Sequence, residues 1–193
     1  MNLNGFSPVG THLDEEQFGS SIQRTLEKAF KSSRAVDLES LCVVTGQRVW
    51  NVRVDIHVLE DKGNVLDAVL MATLAALTDF RRPDVMVSAE QEVTVFSSFE
   101  RHPIPLSLHH FPISVSFGIF QDSNYNPIGL VDPTSIEVLA QESSVCFVMN
   151  RQGEIVYMIK PGGNSFCSDF LLDHLLPIAK STSIKISDAV SHA

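Results

Sequence analysis

From Trp50 to Val58 the chain alternates: Trp50, Val52, Val54, Ile56 and Val58 are apolar, while Asn51, Arg53, Asp55 and His57 between them are polar. A period of two is the signature of a half-buried strand. Glu60-Asp61-Lys62-Gly63-Asn64 then breaks the pattern, and an almost wholly apolar run follows from Val65 to Leu77. Its length is helical, and a helix that is apolar on most faces is expected to be buried on most faces. It should stop before Arg81-Arg82-Pro83, because proline pushes the preceding residue out of helical space. Upstream, Phe18, Ile22, Leu26 and Phe30 recur at helical spacing, with Arg24, Lys28 and Lys31 on other faces. Asp14-Glu15-Glu16 opens this helix, since acidic residues in the first turn suit the helix dipole. The helix should run to about Ser33, after a loop over residues 1–13 rich in Gly, Asn, Ser and Pro.

Leu41–Val44 and Gln47–Leu59 read as a hairpin about Thr45-Gly46. After the apolar helix the pattern is again strand-like, over Asp84–Val87, Glu92–Phe96 and Phe111–Phe120. In the last of these Ile113, Val115, Phe117 and Ile119 alternate with Ser114, Ser116 and Gly118. The turn Gln121–Asn126 leads to a strand at Ile128–Val131, and Pro133-Thr134 with Glu137 marks a turn or short helix. Ser144–Met149 and Glu154–Lys160 should pair through Asn150-Arg151-Gln152-Gly153. Pro161-Gly162-Gly163-Asn164 is a loop, and Ser168-Asp169 caps a C-terminal helix that Pro177 should kink or split. A final helix is expected over Ser181–His192. With no internal repeat or linker, residues 1–193 read as one domain, a loop followed by a folded core from residue 14. The order of elements is α+β.

Composition narrows the function classes. The chain has 44% apolar and 19% charged residues, a globular balance. It has no apolar run of membrane-spanning length, and its first residues lack the charged and apolar regions of a signal peptide, so the default expectation is a soluble intracellular protein. A net charge of −9 argues against a broad nucleic-acid-binding face. Any RNA contact must be local. Cys42, Cys146 and Cys167 are odd in number and far apart, which favours buried reduced thiols. No His or Cys spacing suggests a metal, and the adjacent His109 and His110 would face opposite ways in a strand. No cofactor is expected.

Several segments carry a resemblance. Glu39–Val85 contains LCVV-x-G-x-x-VW-x-x-RVD-x-H, then GN-x-x-DA, then FRRPDV; further on come Glu100-Arg101-His102-Pro103-Ile104-Pro105-Leu106-Ser107, His109-His110-Phe111-Pro112 and Leu130-Val131-Asp132-Pro133-Thr134. In this order they resemble the ring subunits of the eukaryotic RNA exosome that share the ribonuclease PH fold. The resemblance implies a ribonuclease PH-like fold, of the type also described as ribosomal-protein-S5 domain-two-like. It also implies that the opening strands of the family are absent, so that the chain is N-terminally truncated, as a fragment or a shortened gene model. The expected role is a non-catalytic subunit of a hetero-hexameric ring of ribonuclease PH-like chains, bearing RNA-binding cap subunits and passing single-stranded RNA, in nucleus, nucleolus and cytoplasm. No membrane partner is implied, and the isolated chain is expected to self-associate.

The resemblance also singles out residues. Phosphorolytic members hold phosphate in a glycine-glycine-threonine/serine-arginine turn at a helix N-terminus. Here that turn is Asp61-Lys62-Gly63-Asn64-Val65, with Asn64 in place of threonine or serine and Val65 in place of the arginine. Valine cannot donate to an oxyanion, so no catalytic residue is expected. The acids that such enzymes place before the strand Val145–Met149 are reduced to Glu142, with Ser144 where an aspartate would stand and Asp132 and Glu137 read as turn residues. For RNA the candidates are Arg24, Lys28, Lys31 and Arg34, four cations that could track a backbone without reading bases. The alternative is a solvated helix face with Glu27 paired to Lys31. Arg81-Arg82 could contact RNA or complement the end of its helix; of Trp50, Tyr125 and Tyr157, the candidates for stacking on bases, Trp50 belongs to the apolar side of its strand and Tyr125 lies in a polar turn. Two rival readings are a phosphate-dependent 3′-to-5′ exoribonuclease and a nucleotide-binding protein of the S5-like group. The first lacks its phosphate grip, and the second lacks a lysine and serine or threonine after Pro161-Gly162-Gly163-Asn164.

Overall fold

The computed structural model describes residues 14–161, 163 and 168–191, with side chains from Gly19 to Val190. The expected loop over 1–13, and the side chain of Phe18, lie outside that set. Helix α1 (Asp14–Leu26) widens into a π-helical turn at Glu27–Ser32. A 3₁₀ turn at Glu39–Leu41 leads to the short hairpin β1 (Cys42–Val44) and β2 (Arg48–Val49). Then come α2 (Val65–Asp79), β3 (Arg81–Arg82), β4 (Val85–Val87), β5 (Val93–Val95) and β6 (Ile104–Pro105). The remainder is β7 (Ile113–Gln121), β8 (Pro127–Val131), α3 (Ser135–Ala140), β9 (Ser143–Met149), β10 (Ile155–Ile159), a π-helical turn at Phe170–Leu175 and α4 (Leu176–Ser191).

The centre is a four-stranded antiparallel sheet in the order β10-β9-β7-β8. Strand β9 feeds both of its faces. Cys146 and Val148 join a cluster with Ile22, Leu26 and Phe30 of the first helix and Val65, Val69, Leu70, Leu74 and Leu77 of α2. Val145, Phe147 and Met149 face the other way, with Val115, Phe117 and Ile119 of β7, Leu175 and Ala179. Phe117 and Phe147 meet edge to face, 5.9 Å apart. On the α2 side β7 carries Ser114 and Ser116, small residues that let the helix pack directly on the strand. Leu70, Leu74 and Leu77 are almost wholly buried there, each contributing about 1.5–3 kcal/mol of transfer free energy.

Three expectations need correction. Only Arg48–Val49 of the expected strand Gln47–Leu59 joins a ladder with β1. From Trp50 to Leu59 the chain is extended and its burial alternates as the sequence demands, yet only Arg53 and Ile56 form bridges. The side-chain period is set by the apolar cluster beneath, and that does not require a ladder alongside. Helix α2 is covered on most faces but its burial is incomplete: Ala68, Ala72, Ala75 and Ala76 form an exposed stripe, because hydropathy does not separate a small apolar side chain facing water from one facing a core. At the C-terminus Pro177 neither splits nor ends the helix, which is continuous over residues 168–191. A proline ring collides with the carbonyl four residues before it, and the wider turn at Phe170–Leu175 lies where that carbonyl is.

Candidate functional site

The turn between the extended segment and α2 is fixed from several directions. Gly63 has φ 106° and its N–H donates to Asp61 Oδ1 at 2.8 Å. A Cβ at Gly63 would lie 2.5 Å from the Pro133 carbonyl oxygen, so the turn rests directly on the Pro133–Ser135 backbone. Ser135 N–H donates to the Lys62 carbonyl at 2.8 Å. Asn64 is left-handed at φ 50°, and its side-chain amide donates to Asp67 Oδ2 at 2.9 Å and to Asp132 Oδ1 at 2.7 Å. Asp67 is buried, and its carboxylate also accepts the backbone N–H and the hydroxyl of Ser116, both at 2.8 Å. Val65 is buried in the apolar cluster. Asn64 therefore presents an amide engaged with two carboxylates, and Val65 is a core valine.

Beyond the turn lies a cavity of about 560 Å³. Its walls include Ile22 and Thr25 of α1, Val65 and Leu66 of α2, Pro133, Val138 and Leu139 around α3, and Ser144, Cys146 and Ile159 of the sheet. Among the described residues no Lys, Arg or His lines it. Ser144 stands on the wall, whereas Glu142 is exposed and is not part of the lining. Asp132 and Glu137 are turn and cap residues, as expected: Asp132 is left-handed at φ 55°, and Glu137 closes a capping box with Thr134. The backbone N–H of Thr134, then its hydroxyl, hold the Glu137 carboxyl below the usual glutamate range. Burial, with the Asp67 charge second, pushes the Cys146 thiol up to about 12. Cys42, expected to be buried, is exposed at the start of β1, and Cys167 lies outside the described residues.

The four candidate cations do not behave alike. Arg24, Lys28 and Lys31 are spaced i, i+4, i+7, which sets them along one side of the first helix. Arg24, Lys31 and Arg34 are exposed. Arg34 is left-handed at φ 58°, just past the π-helical turn, with its N–H on the Lys31 carbonyl at 3.1 Å. Lys28 is tied down: its ammonium donates to the Tyr157 hydroxyl at 2.8 Å and lies 4.5 Å from the ring centroid. The alternative pairing of Glu27 with Lys31 does not form; Glu27 accepts from Gln23 at 3.5 Å. Arg81 closes the end of α2 by donating to the Thr78 and Phe80 carbonyls at 2.7 and 3.1 Å. Trp50 packs against the core, and Tyr125 is exposed in its turn. His110 contacts the Ser33 carbonyl at 3.2 Å and His109 lies 3.9 Å from Asp37. Among the described residues no group of three His, Cys, Asp or Glu could hold a metal ion. The hydrogen-bonding roles of Asp67, Ser116 and Tyr157 were not read from the sequence. For Asp67 a signal was present, since it is the one charged residue in the run Val65–Leu77.

Comparison with known proteins agrees with this geometry. Residues 6–83 match domain 1 of the 3′ exoribonuclease (RNase PH) family, and residues 110–181 match its domain 2. The chain belongs to this family. It is 41% identical over 167 residues to the exosome complex component RRP45 of Rattus norvegicus, across 86% of this chain and 36% of the relative. Against RRP45A of Arabidopsis thaliana it is 41% identical over 175 residues, across 88% of the chain and 56% of the relative. The chain thus spans only about a third to a half of the curated relatives it matches. Among solved structures, an archaeal exosome core superposes with a TM-score of 0.72 at 25% identity, over 98% of this chain and 68% of that one. The Archaeoglobus fulgidus exosome with RNA bound to the active site gives 0.70 at 29% identity, over 95% and 64%. Rice Rrp46 shares the fold, with 0.59 at 17% identity, over 98% and 70%. The ribonuclease PH-like α+β fold expected from the sequence is the fold of the family member.

Proposed function

We propose that this chain is a non-catalytic subunit of an RNA exosome ring. In this reading it joins other ribonuclease PH-like chains in a hetero-hexamer with RNA-binding cap subunits and supports 3′-to-5′ processing and turnover of RNA by nucleases elsewhere in the assembly. The names of its relatives and its likeness to exosome cores support the assembly; the Asn64 amide, bound to two carboxylates where phosphorolysis requires an anion site, carries the non-catalytic part. A phosphate approaching that point would meet Asp132 and Asp67 with no cation among the described residues of the cavity wall, and like charges at hydrogen-bonding distance repel. Arg24, Lys31 and Arg34 supply local contact with the RNA backbone, while Lys28 serves Tyr157. Such a subunit would work where RNA is processed, in nucleolus, nucleus and cytoplasm. Incubating the chain with single-stranded RNA in phosphate buffer should release no nucleoside diphosphate. Release that disappears on Glu142→Ala would overturn the reading in favour of a phosphorolytic enzyme.

A further inference from the structure

The cavity beside the Asn64 turn is large, no cation lines it among the described residues, and its apolar surface continues onto α3. That helix has no buried residue. Ile136 and Leu139 are 78% and 88% exposed, and their i, i+3 spacing puts them on one side. A six-residue helix with nothing buried would ordinarily fray. This one is held by the Thr134–Glu137 capping box, by Ser135 N–H on the Lys62 carbonyl and by Glu142 N–H on the Ile119 carbonyl. Fixed aliphatic side chains in water beside a cavity of about 560 Å³, well within the roughly 300–1,000 Å³ of ligand-sized sites, make a contiguous apolar surface of the kind that marks an interaction site.

The rim is acidic. Asp61 lines the opening, Asp132 is exposed beside it, and Glu137 sits on α3. Lys62, next to Asp61, is 2.9 Å from Glu60 and pairs with it. Carboxylates around an apolar cavity repel a polyanion and attract a cationic flank. Exposed Ile136 carries the apolar surface of α3 outside the cavity wall, which suits a chain segment rather than a small molecule held within the cavity.

We propose that this cavity and α3 form a docking site for a segment of a partner protein that inserts a large apolar side chain and carries lysine or arginine on either side of it. The site lies where the family's phosphate chemistry has been lost, and its occupation does not depend on the exosome assignment.

The test uses methyl-labelled protein and three synthetic peptides: a Leu-Phe core flanked by lysines, the same core flanked by glutamates, and a Ser-Ser core flanked by lysines. Only the first is expected to shift the methyl resonances of Leu66, Val138 and Leu139. Leu139→Ser, at an exposed position that leaves folding intact, should weaken that peptide about tenfold, as loss of a central apolar contact does. Asp61→Asn should weaken it less and narrow the gap between the lysine-flanked and glutamate-flanked peptides. The proposal is overturned by an equal response to all three peptides, or by none. It also falls if single-stranded RNA shifts the same methyls as strongly, or if they shift on concentrating the protein alone, which would make the occupant RNA or a second copy.

Discussion

Asn64 and Asp132, 68 positions apart, are joined by a 2.7 Å hydrogen bond, and both hold a left-handed backbone. Asn64 serves two purposes there. Its backbone turns the chain into α2, and its amide ties that turn to the loop after β8. The two can be separated. Asn64→Gly keeps the left-handed conformation and loses the amide, so it should destabilise the protein by about 0.5–1.5 kcal/mol for each hydrogen bond lost, Asp67 keeping its two bonds from Ser116 and Asp132 being exposed to water. Asn64→Ala should cost about 1–2 kcal/mol more, the penalty of a left-handed alanine. Chemical denaturation of both variants measures the difference. Equal losses would show that the backbone conformation carries no strain.

Gly63 and Gly46 make a second paired test. Both have positive φ, 106° and 75°, but only Gly63 has backbone where a Cβ would go; nothing lies within 4 Å of one at Gly46. Gly46→Ala should therefore show only conformational strain, on the order of 1 kcal/mol. Gly63→Ala must also push Pro133–Ser135 away, and its destabilisation should exceed about 3 kcal/mol. Thermal melting separates them readily.

Lys28 and Tyr157 should matter to stability more than to RNA. Tyr157→Phe removes the 2.8 Å hydrogen bond and keeps the ring beneath the ammonium, for an expected loss of about 0.5–1.5 kcal/mol. Replacing exposed Arg24 and Lys31 with glutamate should leave the melting temperature nearly unchanged. In the assembled ring that pair of changes should weaken RNA binding and reduce its salt dependence without altering base preference, since phosphate contacts carry no sequence information. Fluorescence anisotropy over a salt series reads both effects.

The pH dependence has a definite sign. Glu137 is held below its usual range by Thr134, and Asp84 by the Arg101 guanidinium 2.9 Å away. A carboxyl whose folded value is depressed contributes stability above its unfolded value, about 4 for these side chains, and loses it as the pH falls through the folded value. Melting temperature should therefore drop as the solution is acidified below about pH 4. Glu137→Gln, which keeps the capping geometry without a titrating group, should flatten part of that drop.

The thiols give the opposite sign. Cys146 is raised to about 12 by burial and by Asp67, so its contribution is complete below the free thiol's value of about 8.5 and declines above it. A thiol-specific reagent near pH 8 should modify Cys42 at once and Cys146 only on unfolding. Mass spectrometry of tryptic peptides distinguishes the two. Immediate labelling of Cys146 would show that the cavity wall opens in the native state.

Much of the fold was legible because its signals are periodic. The alternation in Trp50–Val58 marked which side chains turn inward, and Thr134 with Glu137 marked the start of α3, but the alternation in Ile113–Ile119 did not separate inside from outside, because Ser114 is as fully buried on the α2 side as Ile113 is. What periodicity could not supply was whether a neighbouring strand lies beside an extended segment, which is why Trp50–Leu59 was expected in a ladder. The altered turn was readable from Asn64 and Val65 because chemistry there depends on residue identity. Its true connections, to Asp132 and through Asp67 to Ser116, are long-range hydrogen bonds with no local pattern. The hydrogen bond of Lys28 was not legible for the same reason: its partner Tyr157 is 129 positions away.

Val65 has a consequence for what this turn can become. An arginine at 65 would remove a buried valine from the apolar cluster and bring a guanidinium to its edge, where an unpaired charge is strongly unfavourable. A threonine at 64 would put a β-branched residue at φ 50°, a conformation such residues rarely adopt, and would dissolve the link to Asp132. Either substitution alone loses stability before it gains any affinity for an anion. An anion site cannot be built at this turn one tolerated substitution at a time.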